Sequence, residues 1–437
     1  MFAGTPKWRI LVVGVLIAGA LTGGAFGAYQ WYASPAQVAD ASYQTPEEAD
    51  AYVRFDMEIF DIITREYWQA ADEGELAELY RLALMKARGT AAETLPSADR
   101  AGTAKMLASA LEATPEANRK DLAVDLGIIV LANLAPQGRN GLLSQKDEQA
   151  FRDNANNVDR SRDLYQTLGV ESGAPVAAVA EAFEEKKAAL EKEGTPEAET
   201  RLAEAEYAKS VLTNETTKVV YDEAKIEPSL VSRVMGGTLY INLSQVTPGT
   251  FNEFIGTLEK TARMPELTSL ILDLRGNIGG TLDFAKYLLA LFVGPNQYAF
   301  DLLRHGELIV ERTPAIARIP ALETFKEIAI LTDEMTQSTA ELTASMLKRR
   351  NLARVVGTKT RGWGSVENTY PIKTEIAEGE KYSVLLVNSL TLREDNEPIE
   401  TRGVDPDIDV SAPDWREKLR SELRSSSLIR AIQELIR

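Results

Sequence analysis

The chain has 437 residues, 44% of them apolar and 26% charged, enough for two or three domains that each bury a core. Its formal net charge of -17 excludes a nucleic-acid partner, because a phosphate backbone needs a basic surface. There is no cysteine and one histidine, His305, which excludes disulfides, thiolate nucleophiles and multi-histidine metal sites.

Lys7 and Arg9 precede the apolar run 10–32, ILVVGVLIAGALTGGAFGAYQWY, and no charge returns until Asp40. The run is long enough to cross a bilayer. Its basic flank suits the cytoplasmic side, and Tyr29, Trp31 and Tyr32 suit the far interface. An uncleaved anchor and a signal peptide cut near Ala25–Ala28 are both open readings; the length of the run favours the anchor. Either way the bulk of the chain is expected outside the cytoplasm, on a single-pass protein of the cell membrane. A linker follows at 33–46.

Residues 47–157 read as helical. TPEEADAYVRFDMEIFDIITREYW opens on a helix-start signal and spaces Phe55, Ile59, Ile62 and Ile63 along one helical face. Further helices are expected over 75–88 and within 101–135, and then a Pro/Gly/Asn-rich loop leading to a charged helix over 136–157. Residues 158–226 form a second, charged helical module. Either helical region offers a surface for a protein partner. From 227 to 437 the texture changes to alternating strand and helix patterns, which predicts an α/β layer with crossover helices. The strands are TLYINLSQ, LTSLILDLR, EIAILTD and ARVVGT. Functional loops of such a layer lie beyond the carboxyl ends of its strands. His305, in LLRHGELIV, reads as a strand-end or turn residue.

Two strand ends carry chemistry. LILDLRGNIGG places Gly279 and Gly280 after a buried strand, where backbone N–H groups can face an oxyanion. LTDEMTQSTAE places Ser338 at the start of a helix, in a field that favours developing negative charge. Ser338-Thr339-Ala340-Glu341 also fits a capping box, so Ser338 reads as a cap or as a nucleophile.

The module at 158–226 resembles a J-domain in its DLYQTLGV opening, the helix carrying Phe183, the helix carrying Tyr207 that runs into VLTN, and the closing Tyr221-Asp222. The J-domain's His-Pro-Asp turn would align with Glu191-Lys192-Glu193, and no such tripeptide occurs in the chain. The resemblance therefore implies a module without the chaperone-activating turn; an unrelated charged helical hairpin is the alternative.

LILDLRGNIGG, TQSTAE, GTKTRGWGSVE and RGVDPDIDV, in that order, resemble the C-terminal processing peptidases, the tail-specific proteases that work through a Ser-Lys dyad. The resemblance is close over 227–411. It is looser over 47–155, where LLSQKDEQAF resembles the residues that usually precede a PDZ domain; the J-like module stands in that domain's place. It implies a ClpP/crotonase-like α/β core preceded by an all-helical region and the single transmembrane helix. It also implies Ser338 as nucleophile, three residues before Glu341, with the Gly279-Gly280 turn and the Thr339 N–H as oxyanion hole. The partners it implies are extended peptides or protein C-termini, without metal or organic cofactor.

The family motif G-K-G-S-V-Q, which holds the general-base lysine, reads here Gly362-Trp363-Gly364-Ser365-Val366-Glu367. Trp363 stands in the lysine's place, and an indole N–H cannot accept a proton. Glu367 replaces the glutamine, and Met335-Thr336-Gln337 replace small residues beside the serine. A catalytically impaired homologue is expected, with an active serine endopeptidase using a substitute base as the alternative. Lys359 lies four residues upstream and Glu367 four downstream as the substitutes to consider.

Overall fold

The computed structural model describes residues 44–436 apart from 92, 159–161 and 263. The apolar run expected to be the anchor lies outside these residues; among the described residues no helix is long and apolar enough to cross a membrane. The chain divides into two compact units.

The first unit joins the chain up to Gln145 with residues 368–386. It contains helices α1 (Ala51–Glu66), α2 (Glu73–Arg88), α3 (Arg100–Glu112) and α4 (Glu116–Ala132) and strand β1 (Gly141–Ser144). Asp50 caps α1 by accepting the N–H groups of Tyr52 and Val53, and Asp72 caps α2 in the same way. The span 101–135, expected to hold one helix, holds two, because Pro115 begins α4 and cannot continue α3. The expected loop after 136 likewise contains β1, paired with residues 382–385. Phe55, Ile59, Phe60, Ile63, Tyr80, Leu84, Leu107 and Leu126 are fully buried with Val384 and Leu386 in one core. Asp56 lies among them with no exposure and, among the described residues, no hydrogen-bond partner for either carboxylate oxygen.

The second unit begins at Lys146, inside α5 (Gln145–Ala155), and continues with the helices α6 (Leu164–Leu168), α7 (Val176–Glu193), α8 (Pro196–Leu212) and α9 (Glu215–Ala224). Leu164, Tyr165, Phe183, Ala205, Ala208, Leu212 and Tyr221 pack into a separate small core. Gly194 and Thr195 join α7 to α8, and Glu191–Glu193 are the last turn of α7. The two ends of this helical segment meet at a bridge between Val158 and Ile226.

Next come β2 (Leu230–Met235), β3 (Thr238–Leu243), α10 (Thr250–Thr261), β4 (Ser269–Asp273) and α11 (Asp283–Val293). They are followed by β5 (Tyr298–Arg304), β6 (Glu307–Arg312), α12 (Pro320–Glu323), β7 (Glu327–Thr332), α13 (Thr339–Arg349) and β8 (Arg354–Gly357). The chain ends with β9 (Ser365–Pro371), β10 (Tyr382–Thr391), β11 (Ile408–Asp409), α14 (Trp415–Glu422) and α15 (Ser426–Leu435). The main sheet runs β11-β8-β7-β4-β3-β2. All its neighbours are parallel except the β2–β3 pair. Every residue of β4 is buried, as the apolar run Leu270-Ile271-Leu272 at its centre requires of a central parallel strand. Burial of Leu270, Ile271 and Leu272 contributes about 2 kcal/mol each. His305 sits with Gly306 in the tight turn between β5 and β6.

This topology places the site. β4, β7 and β8 are adjacent and parallel, so the loops after Asp273, Thr332 and Gly357 leave the same edge of the sheet.

Candidate active site

Hydrogen bonds lace the three loops together. Thr336 Oγ1 donates to the Leu274 carbonyl at 2.9 Å, the Gln337 N–H to the Asn277 carbonyl at 2.9 Å and the Arg361 N–H to the Thr336 carbonyl at 3.0 Å. Asp333 Oδ1 accepts the N–H groups of Gly276 and Thr336, each at 2.9 Å.

Ser338 ends the β7 loop immediately before α13, at φ 57° and ψ −128°. A non-glycine residue in such a conformation carries on the order of 1–3 kcal/mol of strain, which persists only where the surroundings enforce it. Gly279 is part of that enforcement: a Cβ there would lie 2.6 Å from Ser338 Cβ and 2.9 Å from the Thr339 nitrogen. Ser338 and Glu341 stand in the capping-box relation, but the strong half is the Ser338 N–H on Glu341 Oε2 at 2.9 Å; the hydroxyl makes no cap hydrogen bond.

Two polar side chains decide which backbone donors stay open. Asn277, fully buried, accepts the Gly279 N–H on Oδ1 at 2.8 Å while its amide donates to the Leu243 carbonyl at 2.6 Å. Glu341 takes the Ser338 N–H. The Gly280 and Thr339 N–H groups have no hydrogen bond among the described residues, and Thr339 Oγ1 ties the two segments by donating to the Gly280 carbonyl at 2.9 Å. The turn therefore presents Gly280, rather than Gly279, as its open donor beside Thr339.

Glu341 has no exposure and accepts four hydrogen bonds. Ser338 N and Trp363 N reach Oε2 at 2.9 and 2.8 Å; Gly362 N reaches Oε1 at 2.7 Å, and Thr360 Oγ1 donates to the same oxygen. Burial pushes this carboxyl above the usual range, and the four donors hold it back in part. One side chain thus binds the start of α13 and the turn that carries Trp363.

Trp363 is half-buried, and its indole N–H donates to Glu367 Oε1 at 3.2 Å. The Ser365 hydroxyl donates to the same oxygen at 2.6 Å. The Arg361 guanidinium lies 5.7 Å from the Trp363 ring. Lys359 points elsewhere: its Nζ is 3.3 Å from Asp405 Oδ1, in a pair that is 55% and 50% exposed. The structure brings together Ser338, Thr339, Glu341, the Gly279-Gly280 turn, Trp363 and Glu367; it does not bring Lys359 to them.

Sequence reasoning missed Asn277 and Glu400. The first was visible as the only side chain in GNIGG able to accept an N–H. Glu400 carried no signal; it reaches the site because β10 and the turn after it return the chain to Gly364, whose N–H it accepts at 2.8 Å.

The fold and these loops define an α/β core with a strand-end glycine turn facing a serine at a helix start. Residues 237–410 match the family model of peptidase family S41. The chain is 28% identical over 199 residues to the carboxy-terminal-processing protease of Bartonella bacilliformis, a match covering 45% of this chain and 44% of that protein. It is 27% identical over 179 residues to the carboxy-terminal processing protease CtpB of Bacillus subtilis, covering 40% and 34%. The matches span less than half the length of these relatives. Among solved structures, the photosystem II D1 C-terminal processing protease aligns with 83% of this chain and 93% of its own at 11% identity and a TM-score of 0.48.

Proposed function

We propose that this chain is a membrane-anchored, extracytoplasmic homologue of the tail-specific proteases with an impaired Ser-Lys dyad. It holds extended peptides or protein C-termini in the old cleft and acts as a scaffold or regulator. The observation that carries the reading is the pairing of Trp363 with Glu367: the residue in the base position offers only a donor, and that donor is occupied. A serine hydroxyl without a base is a poor nucleophile, and loss of one dyad member costs several orders of magnitude in rate. Lys359 is no substitute, since it is held at the surface by Asp405.

Anchoring rests on the apolar run 10–32 with its basic flank. The segment 158–226 is read as a degenerate J-domain-like insertion. The short helix α6, the α7–α8 hairpin closed by two residues, and the buried Tyr165, Phe183 and Tyr221 support that reading.

The alternative, an active serine endopeptidase acting on C-termini, is favoured by one observation: Ser338 keeps a strained φ of 57° beside two open N–H donors. Cleavage of an unfolded protein and of apolar C-terminal peptides by wild type, Ser338→Ala and Trp363→Lys separates the two. The expected outcome is no cleavage by wild type and cleavage gained in Trp363→Lys. Wild-type cleavage that disappears in Ser338→Ala would establish the alternative.

A further inference from the structure

Four consecutive backbone amides around Trp363 end on two buried carboxylates. Gly362 and Trp363 donate to the two oxygens of Glu341 at 2.7 and 2.8 Å; Gly364 and Ser365 donate to Glu400 Oε2 at 2.8 and 3.1 Å. Glu341 has no exposure and Glu400 has 9%. Hydrogen bonds to charged acceptors are roughly twice as strong as neutral ones, and stronger still away from water. The turn is also pressed from behind: a Cβ on Gly364 would lie 2.4 Å from the Glu400 nitrogen. None of these four bonds involves the side chain at 363.

We propose that Glu341 and Glu400 are positioning residues: a pair of internal carboxylates that fixes the Gly362–Ser365 turn whichever side chain stands at 363. Glu341 also takes the Ser338 N–H, so it sets the spacing between the serine and position 363 from the backbone side. The seat is therefore preformed and Trp363 is its occupant rather than its builder. For catalysis this rests on the reading of position 363 as the base position; the frame itself does not.

Amide hydrogen exchange on the full chain, resolved over 359–367, tests the frame. In wild type and Trp363→Ala the four amides exchange at rates within about threefold of one another's values, since the side chain carries none of their bonds. Glu341→Gln, whose amide accepts on one side only, speeds whichever of Gly362 and Trp363 then faces its NH2 by roughly tenfold or more. Glu400→Leu, which removes the one oxygen that accepts both, does the same to Gly364 and Ser365. Amides of β4 and β7 report global folding; should Glu341→Gln lose their protection, the Glu400→Leu and Trp363→Ala arms decide. The proposal is overturned if Trp363→Ala releases all four amides, or if Glu341→Gln and Glu400→Leu leave all four protected.

A kinetic arm separates positioning from bulk structure. In a Trp363→Lys background, Glu400→Leu lowers kcat by about tenfold with KM unchanged, because it displaces the reacting groups and not the bound chain. A rise in KM alone would contradict positioning. An inactive Trp363→Lys chain with intact exchange protection would count against the base-position reading and leave the frame standing.

Discussion

Asp56 and Glu341 are carboxylates without exposure, one in each unit, and burial pushes both above the usual range. Their surroundings are opposite. Glu341 accepts four hydrogen bonds from two loops, whereas neither oxygen of Asp56 has a hydrogen-bond partner among the described residues. A buried charge becomes structural only when donors converge on it; without them it is a cost to the fold. The site is therefore marked by satisfied burial, and a perturbed carboxyl alone does not mark one.

The largest effect expected from this contrast is on activity. If the satisfied frame preserves the site, Trp363→Lys raises peptide cleavage by at least about a hundredfold. The carboxylate of Glu367, which now holds the indole N–H, would stabilise the lysine ammonium and keep the gained activity at alkaline pH. Adding Glu367→Gln moves the pH–rate profile to lower pH. Identical profiles for the single and double variants would show that Glu367 does not face position 363 once lysine stands there.

Next in size is Glu341→Leu, which leaves four donors without their acceptor. At about 1 kcal/mol or more per buried donor, it destabilises the second unit by on the order of 4 kcal/mol in chemical denaturation. A loss below about 1 kcal/mol would mean that water or a neighbour replaces the carboxylate readily.

How much of this was legible in the sequence follows the range of the contacts. β4 and β7 show as apolar runs, and the Ser338–Glu341 spacing gives the helix start, because those signals are local. The role of Asn277 needed the Gly279 backbone to be seen turning back on it. Glu400 meets Gly364 across 36 residues, and no periodicity encodes that approach. Residues 368–386 continue an α/β stretch in sequence yet pack into the first unit, where Ile372, Ile376 and Val384 join the helical core. Apolar pattern says that these residues are buried, but not in which core.

Asp56→Asn carries the opposite sign to Glu341→Leu. With its folded pKa raised, Asp56 keeps its proton in the fold after the unfolded chain has lost it, so stability falls as pH climbs past the ordinary value of 3.8. The asparagine removes that titration, and the first unit gains on the order of 2 kcal/mol at pH 8 and less at pH 5. An equal effect at both pH values would show that Asp56 has a partner in solution that holds its charge.

The smallest effect bears on why the serine is kept. At φ 57° and ψ −128°, Ser338 stands where glycine would be relaxed, so Ser338→Gly stabilises the second unit by about 1 kcal/mol while Ser338→Ala, with its Cβ retained, does not. The hydroxyl makes no cap hydrogen bond whose loss would offset the gain. Relief of strain in the glycine variant, measured by denaturant midpoint at unchanged m-value, would mean that the serine's geometry is held against the fold's own preference. Ser338→Gly destabilising the unit would instead make Ser338 a structural residue of the α13 start, and the strained φ would lose its value as evidence for an active nucleophile.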